Sequence, residues 1–165
     1  MGKKIIYILI VAALISGVVV WYKAKGWAEQ IDSGMIPEDI KLSRITTNTV
    51  DISIPIWFYN PTPVNLVVSD LDLKIYFDGY FISSVKTPQS YMLKSNQRST
   101  YPLGVQIGIG PVLEYLSNKG YVINDPNWMK KVKITIIGNG TIDVGLLKFK
   151  KFPVNFESSL KYWLG

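Results

Sequence analysis

YNPTPVNLVVSDLDLKIYFDG, residues Tyr59–Gly79, ends one strand and builds another. Asn60-Pro61 stops the first, because proline has no amide hydrogen to donate and the asparagine side chain bonds nearby backbone instead. After Pro63 a second pattern begins. Leu71, Leu73, Ile75 and Phe77 alternate with Asp72, Lys74 and Tyr76, which gives one apolar and one polar face, the period of a half-buried strand. Asp78-Gly79 then supplies the two positive-φ positions that a two-residue hairpin turn requires.

The same period extends in both directions. Ile52, Ile54, Ile56 and Phe58 share one face of Asp51–Tyr59. Pro55 interrupts that strand and is expected at an edge or a bulge, since it cannot donate to a ladder. Strands are expected at Ile40–Ile45, Asp51–Tyr59, Leu66–Phe77, Tyr80–Val85, Arg98–Ile109, Lys131–Val144 and Phe149–Glu157. Turn residues separate them, and about seven short strands at this spacing make an all-β antiparallel sandwich. One helix, Val112–Asn118, interrupts the series, opened by Gly110-Pro111 and closed by Gly120.

Ahead of the strands, Ile5–Tyr22 carries no charge. As a helix it is ~27 Å long, close to the ~30 Å hydrocarbon core of a bilayer. Lys3, Lys4, Lys23 and Lys25 bracket it, with Tyr7, Trp21, Tyr22 and Trp27 at the depths interfacial aromatics occupy. A cleaved signal peptide has a shorter apolar stretch and a small-x-small cleavage site, and Val-Val-Trp-Tyr-Lys does not supply one. The expectation is a retained single-pass anchor. By the positive-inside rule its N-terminus is cytoplasmic and the domain lies on the outer side, although the lysine pairs at the two ends nearly balance.

The net charge of +6 does not point to nucleic acid. Beyond Gly26 there are 14 basic and 12 acidic residues, so the domain is close to neutral. The chain has no histidine and no cysteine. That removes disulfides, thiolate nucleophiles, zinc–thiolate sites, the usual general base near neutral pH and Ser-His-Asp catalysis.

Three segments together resemble the late embryogenesis abundant type 2 family, also called the water stress and hypersensitive response (WHy) domain. They are Asp51–Gly79 with its Asn60-Pro61-Thr62-Pro63 junction and Gly79, LKSNQRSTYPLGVQI (Leu93–Ile107), and IIGNGTIDVGLLKFKKFPVNF (Ile136–Phe156). The resemblance covers about Ile40–Phe156. It implies an immunoglobulin- or fibronectin-like sandwich, often tethered by an N-terminal hydrophobic helix and without known catalysis. It also bears on Gly138-Asn139-Gly140. Asn-Gly between apolar residues is a local hairpin signal that would set Lys131 opposite Lys148. The family pattern instead implies one strand, Lys131–Val144, bulged at the glycines, with reversal at Gly145–Lys148. Facing like charges disfavour the hairpin as well. Gly120–Lys130 is longer than the pattern, and Ser158–Gly165 adds to it.

Candidate chemistry is sparse. Asp70 and Asp72 on one strand face are a pair that suits a hard cation, but no acidic loop accompanies them and a solvated face explains them. Ser158-Ser159…Lys161 lacks a flanking motif. Gly104, Gly108 and Gly110 form no phosphate loop. Asn139-Gly140-Thr141 is a glycosylation sequon. Lys130, Lys131, Lys133 and Lys148, Lys150, Lys151 are expected on neighbouring strands as one basic patch, facing either anionic headgroups or solvent. Leu160, Trp163 and Leu164 form an apolar stripe if helical, a candidate partner contact.

The chain thus divides into an anchor (1–26), a linker (27–39), a sandwich (40–157) and an aromatic tail (158–165). The expected protein is not an enzyme and needs no cofactor or metal. It is a structural or interaction module that meets the lipid bilayer through residues 5–22, with protein partners or a second copy of itself and no nucleic acid. An envelope or virion assembly is one setting for it. Stress protection of membranes or proteins, and carriage of an apolar ligand, are the alternatives.

Overall fold

The computed structural model of the chain describes residues 2–122 and 126–162, with side chains over 10–122 and 127–161. A long helix, α1 (Gly2–Ala28), leads into two antiparallel sheets. The first holds β1 (Asp32–Met35), β2 (Lys41–Ile45), β3 (Thr49–Asn60) and β7 (Gln97–Gly108). The second holds β4 (Leu66–Phe77), β5 (Tyr80–Thr87), β6 (Tyr91–Leu93), β8 (Lys133–Val144) and β9 (Leu147–Ser159). Helix α2 (Ile109–Lys119) follows β7 and ends on Gly120 in the left-handed region.

The sheets face each other through the residues that alternation selects. Ile52, Ile54, Ile56 and Phe58 of β3 oppose Leu66, Val68, Leu71, Leu73, Ile75 and Phe77 of β4, with Leu103, Val105, Ile134 and Ile136 beside them, all buried. Ser83 Oγ donates to Gln106 O at 2.8 Å and ties β5 to β7 at one side of the sandwich. All seven expected strands form, and β1 and β6 join them. β1 changes the boundary of the domain. Residues 27–39, expected as a linker, place Ala28 and Ile31 in the core and pair Asp32–Met35 with Ile56–Tyr59.

Pro55 is not on an edge strand. β3 pairs with β7 along twelve residues on one side and with β1 and β2 on the other. Pro55 stands opposite Pro102, and two prolines can form only a non-hydrogen-bonded pair. Its carbonyl turns the other way and accepts from Ile36 N at 2.9 Å. A 3-10 turn, Pro37–Asp39, separates β1 from β2 at this level, so the missing amide of Pro55 leaves no ladder bond unmade.

Gly138–Gly140 runs straight through β8, which reverses at Gly145 (φ 61) and Leu146. Ile137 faces Asn155, and Lys148 faces Asp143 rather than Lys131. The bulges lie on the neighbouring strands instead of on β8. Between Ser69 and Asp72, β4 spends two residues against Gly140, and β9 inserts Lys151 between Lys150 and Phe152 at the same level. Asp70 and Lys151 both adopt positive φ, 51° and 67°. Each bulge switches the parity of inward residues, from Val68 to Leu71 and from Phe149 to Phe152. A Cβ at Gly138 would lie 2.0 Å from Asp72 O, so only glycine permits this approach of β4 to β8.

Candidate functional site

The structural motif residues behave as scaffold. Asn60 is fully buried and satisfied: its Nδ2 donates to Val64 O (2.8 Å) and Leu93 O (2.9 Å), and its Oδ1 accepts from Thr62 N and Oγ1. Pro61 and Pro63 shape that loop, and Ser95 Oγ donates to Thr62 O to hold it against the β6–β7 connection. Gly79 (φ 83) and Asp78 (φ 46) form the expected turn.

Asp78 does more than turn the chain. Its carboxylate accepts from Tyr115 Oη at 2.6 Å and from Lys133 N at 2.9 Å, fastening α2 and the start of β8 to the β4–β5 hairpin. Burial first, and then this bond to a carboxylate, push the Tyr115 phenol above its ordinary value. Phe77, Tyr80 and Tyr121 pack their rings around Tyr115. The contact joins residues 37 apart and left no mark in the sequence beyond the Asp-Gly turn.

The polar candidates separate. Asp70 and Asp72 are exposed, and Asp72 pairs with Lys86 at 3.1 Å. Among the described residues no group of three or more ligating side chains could hold a metal ion. Asn139 lies mid-strand between β4 and β9. The six lysines do not form one patch. Lys133 stands opposite Ser159 and Lys148 opposite Asp143, ten positions apart along β8 or ~33 Å at ~3.3 Å per residue. At the far end Lys130 and Lys131 are exposed and Lys133 pairs with Glu157 at 2.9 Å. Leu160 is buried, and its amide donates to Val132 O at 3.0 Å, so the domain itself covers the start of the tail. Trp163 and Leu164 lie outside the described residues.

What the fold gathers is the exit of α1. Ile10–Ala28 is long and apolar enough to cross a membrane, with a mean hydropathy of 1.2 and almost none of it buried. Ile10, Val11, Leu14, Ile15, Val18, Val19 and Val20 are exposed. Left in water, these seven aliphatic side chains cost on the order of 10 kcal/mol relative to full burial. Two residues past Tyr22 the chain changes character: Ala24, Ala28 and Ile31 enter the core, and Trp27 packs against it. Trp27 therefore belongs to the domain rather than to a free aromatic belt. Trp21 and Tyr22 remain exposed, their rings 5.2 Å apart, and Trp21 reaches Phe149 at 6.4 Å. Lys25 Nζ sits 5.6 Å over the Trp21 ring and 3.7 Å from Glu29. Lys23 is exposed. The side chains of Lys3, Lys4 and Tyr7 lie outside the described residues. A groove of about 560 Å³ follows the junction, lined by Lys25, Glu29, Asp32, Phe149, Lys150 and Phe152 among others.

No family model matches the chain, and no curated protein matches it by sequence. Solved structures do. A crystal structure of a protein from Archaeoglobus fulgidus superposes with a TM-score of 0.52 at 16% identity, covering 79% of this chain and 94% of that one. The solution structure of an Arabidopsis thaliana protein gives a TM-score of 0.57 at 15% identity, over 73% and 75%. An Arabidopsis protein described as late embryogenesis abundant gives 0.50 at 15% identity, over 89% and 82%. These likenesses establish a shared sandwich fold.

Proposed function

We propose that this protein is a membrane-tethered β-sandwich of the late embryogenesis abundant type 2 kind, which works by binding at a membrane surface rather than by catalysis. The observation that carries the reading is the abrupt change along α1. From Ile10 through Tyr22 the helix is apolar and exposed on all sides, and it becomes part of the sandwich core at Ala24. A helix that is apolar all round needs an apolar surrounding. The bilayer provides one, and the domain is held at its surface by the same continuous helix. In this arrangement the N-terminus lies on the cytoplasmic side and the sandwich on the other.

Fractionation tests the tether. The full chain should remain in the membrane pellet through high salt and alkaline carbonate and leave it only with detergent. A chain lacking residues 2–22 should appear in the soluble fraction with its strands intact, because the core begins at Ala24. Release of the full chain by carbonate would overturn the reading.

The fold likeness to a late embryogenesis abundant protein favours stress protection over assembly into an envelope or virion as the role. Its test is whether the chain preserves vesicles or a labile enzyme through drying or freezing better than an equal mass of an unrelated sandwich domain. No difference between the two would remove this reading and leave the tether standing.

A further inference from the structure

We propose that the β8–β9 turn is a second membrane contact, in which Leu146 enters the bilayer interface and Lys148, Lys150 and Lys151 hold anionic lipid headgroups. This rests on α1 spanning the membrane.

Position is the first argument. Trp21 lies at the end of the exposed part of α1, and its ring reaches Phe149 near the start of β9. Leu146 precedes Phe149 by three residues, within ~10 Å of strand. If α1 crosses a bilayer, the headgroup layer lies at this level, where Trp21 and Tyr22 stand. The turn is therefore beside the headgroups before any further motion of the domain.

Side-chain chemistry is the second. Leu146 is 101% exposed, the most exposed large apolar side chain among the described residues. Position two of a tight turn after a positive-φ glycine is ordinarily a polar residue's place. Water gives a bare leucine nothing there, whereas the edge of a bilayer does.

The bulge in β9 sets the charges beside that leucine. Simple alternation would turn one of Lys150 and Lys151 inward. The positive φ at Lys151 instead leaves both exposed, side by side. No carboxylate among the described residues stands in salt-bridge range of either, while Lys148 is 3.8 Å from Asp143. Lys23 and Lys25 add to them from the helix. Glu29, Asp32, Asp70, Asp72 and Asp143 are the opposing charges at this end, but Lys25 holds Glu29, Lys86 holds Asp72 and Lys148 holds Asp143, which leaves Lys150 and Lys151 without salt bridges beside the exposed leucine. A basic cluster around an exposed leucine, next to a transmembrane exit, complements an anionic bilayer rather than a soluble anion.

The absence of cysteine makes the test clean. Full-length Leu146→Cys, Val11→Cys and Ser117→Cys, each carrying an environment-sensitive dye, are placed in phosphatidylcholine vesicles with and without phosphatidylglycerol and probed with lipid-borne quenchers. Circular dichroism confirms that each variant keeps its strands. The Val11 label should be quenched in both lipids, and the Ser117 label, on exposed α2, in neither. The Leu146 label should shift to the blue and be quenched, more strongly with phosphatidylglycerol. Lys148→Gln, Lys150→Gln and Lys151→Asn together should abolish that lipid dependence, the asparagine being chosen because it tolerates positive φ. A quenched Val11 with a Leu146 label that stays aqueous in both lipids overturns the turn contact alone. An unquenched Val11 overturns the span and this proposal with it.

Discussion

Replacing Gly138 by alanine drives one methyl group into the seam between β4 and β8. Its Cβ would lie 2.0 Å from Asp72 O, 2.8 Å from Leu73 Cα and 2.9 Å from the Asp72 carbonyl carbon. All three are backbone atoms of a strand paired in register, with Leu73 directly opposite Gly138, so no side-chain rotation relieves the clash. Ordinary contact is ~3.5 Å, so the strands must part by more than about 1 Å. Overpacking of this kind costs about 1–3 kcal/mol, and two weakened ladder bonds add ~1 kcal/mol each. The smaller entropy of the unfolded chain offsets ~0.4–1 kcal/mol. The expected net loss is about 2–4 kcal/mol, a fall in Tm of roughly 8–16 °C for a domain of this size. Gly104→Ala is the control, since nothing stands within 4 Å of its Cβ. Thermal unfolding of the full chain in mild detergent, followed by far-ultraviolet circular dichroism, compares the two. A loss at Gly138 below about 0.5 kcal/mol, the ordinary range of a surface substitution, would refute the close approach.

Asn60→Ala removes a fully buried amide and leaves Leu93 O and Thr62 N without partners, so denaturation should show a loss of about 2–4 kcal/mol. Leu160→Ala should cost about 2–3 kcal/mol in the same assay if the domain covers the start of its tail. For Tyr115 the folded pKa is raised, so its contribution is complete below the unfolded value of ~10 and is lost as pH rises above it. Stability should therefore fall on the alkaline side, and Tyr115→Phe should flatten that limb while costing ~1 kcal/mol at neutral pH. If the N-terminus is cytoplasmic as proposed, protease added outside intact cells should remove the sandwich; full protection would reverse the orientation.

Most of the fold was legible because alternation and turn chemistry are local. Leu71 through Phe77 and Asp78-Gly79 need no distant partner to declare a strand and its turn. The two bulges were also written in the sequence, as a change of apolar parity from Val68 to Leu71 and from Phe149 to Phe152. The sequence reading expects a single bulge on β8 because its glycines are the more visible signal, yet those glycines are there to admit the neighbouring strands. β1 was missed because Asp-Ser-Gly-Met carries no alternation and its pairing with Ile56–Tyr59 is not local. The single basic patch failed for a related reason. Neighbouring strands were foreseen correctly, but register decides which ends meet, and the two lysine groups fall at opposite ends of one hairpin. The junction of α1 with β9 was out of reach, since nothing near Trp21 names Phe149 as its neighbour.

The central claim, that α1 spans a bilayer and hands over to the sandwich at Ala24, is tested most directly by hydrogen–deuterium exchange of the full chain in nanodiscs. An exposed helical segment of this length is marginal in water and frays, whereas helix amides in hydrocarbon have no water to exchange with. If α1 spans the bilayer, amides of 10–22 should stay protonated as long as those of β3, β4 and β8. Rapid exchange through 10–22 beside protected strands would contradict it.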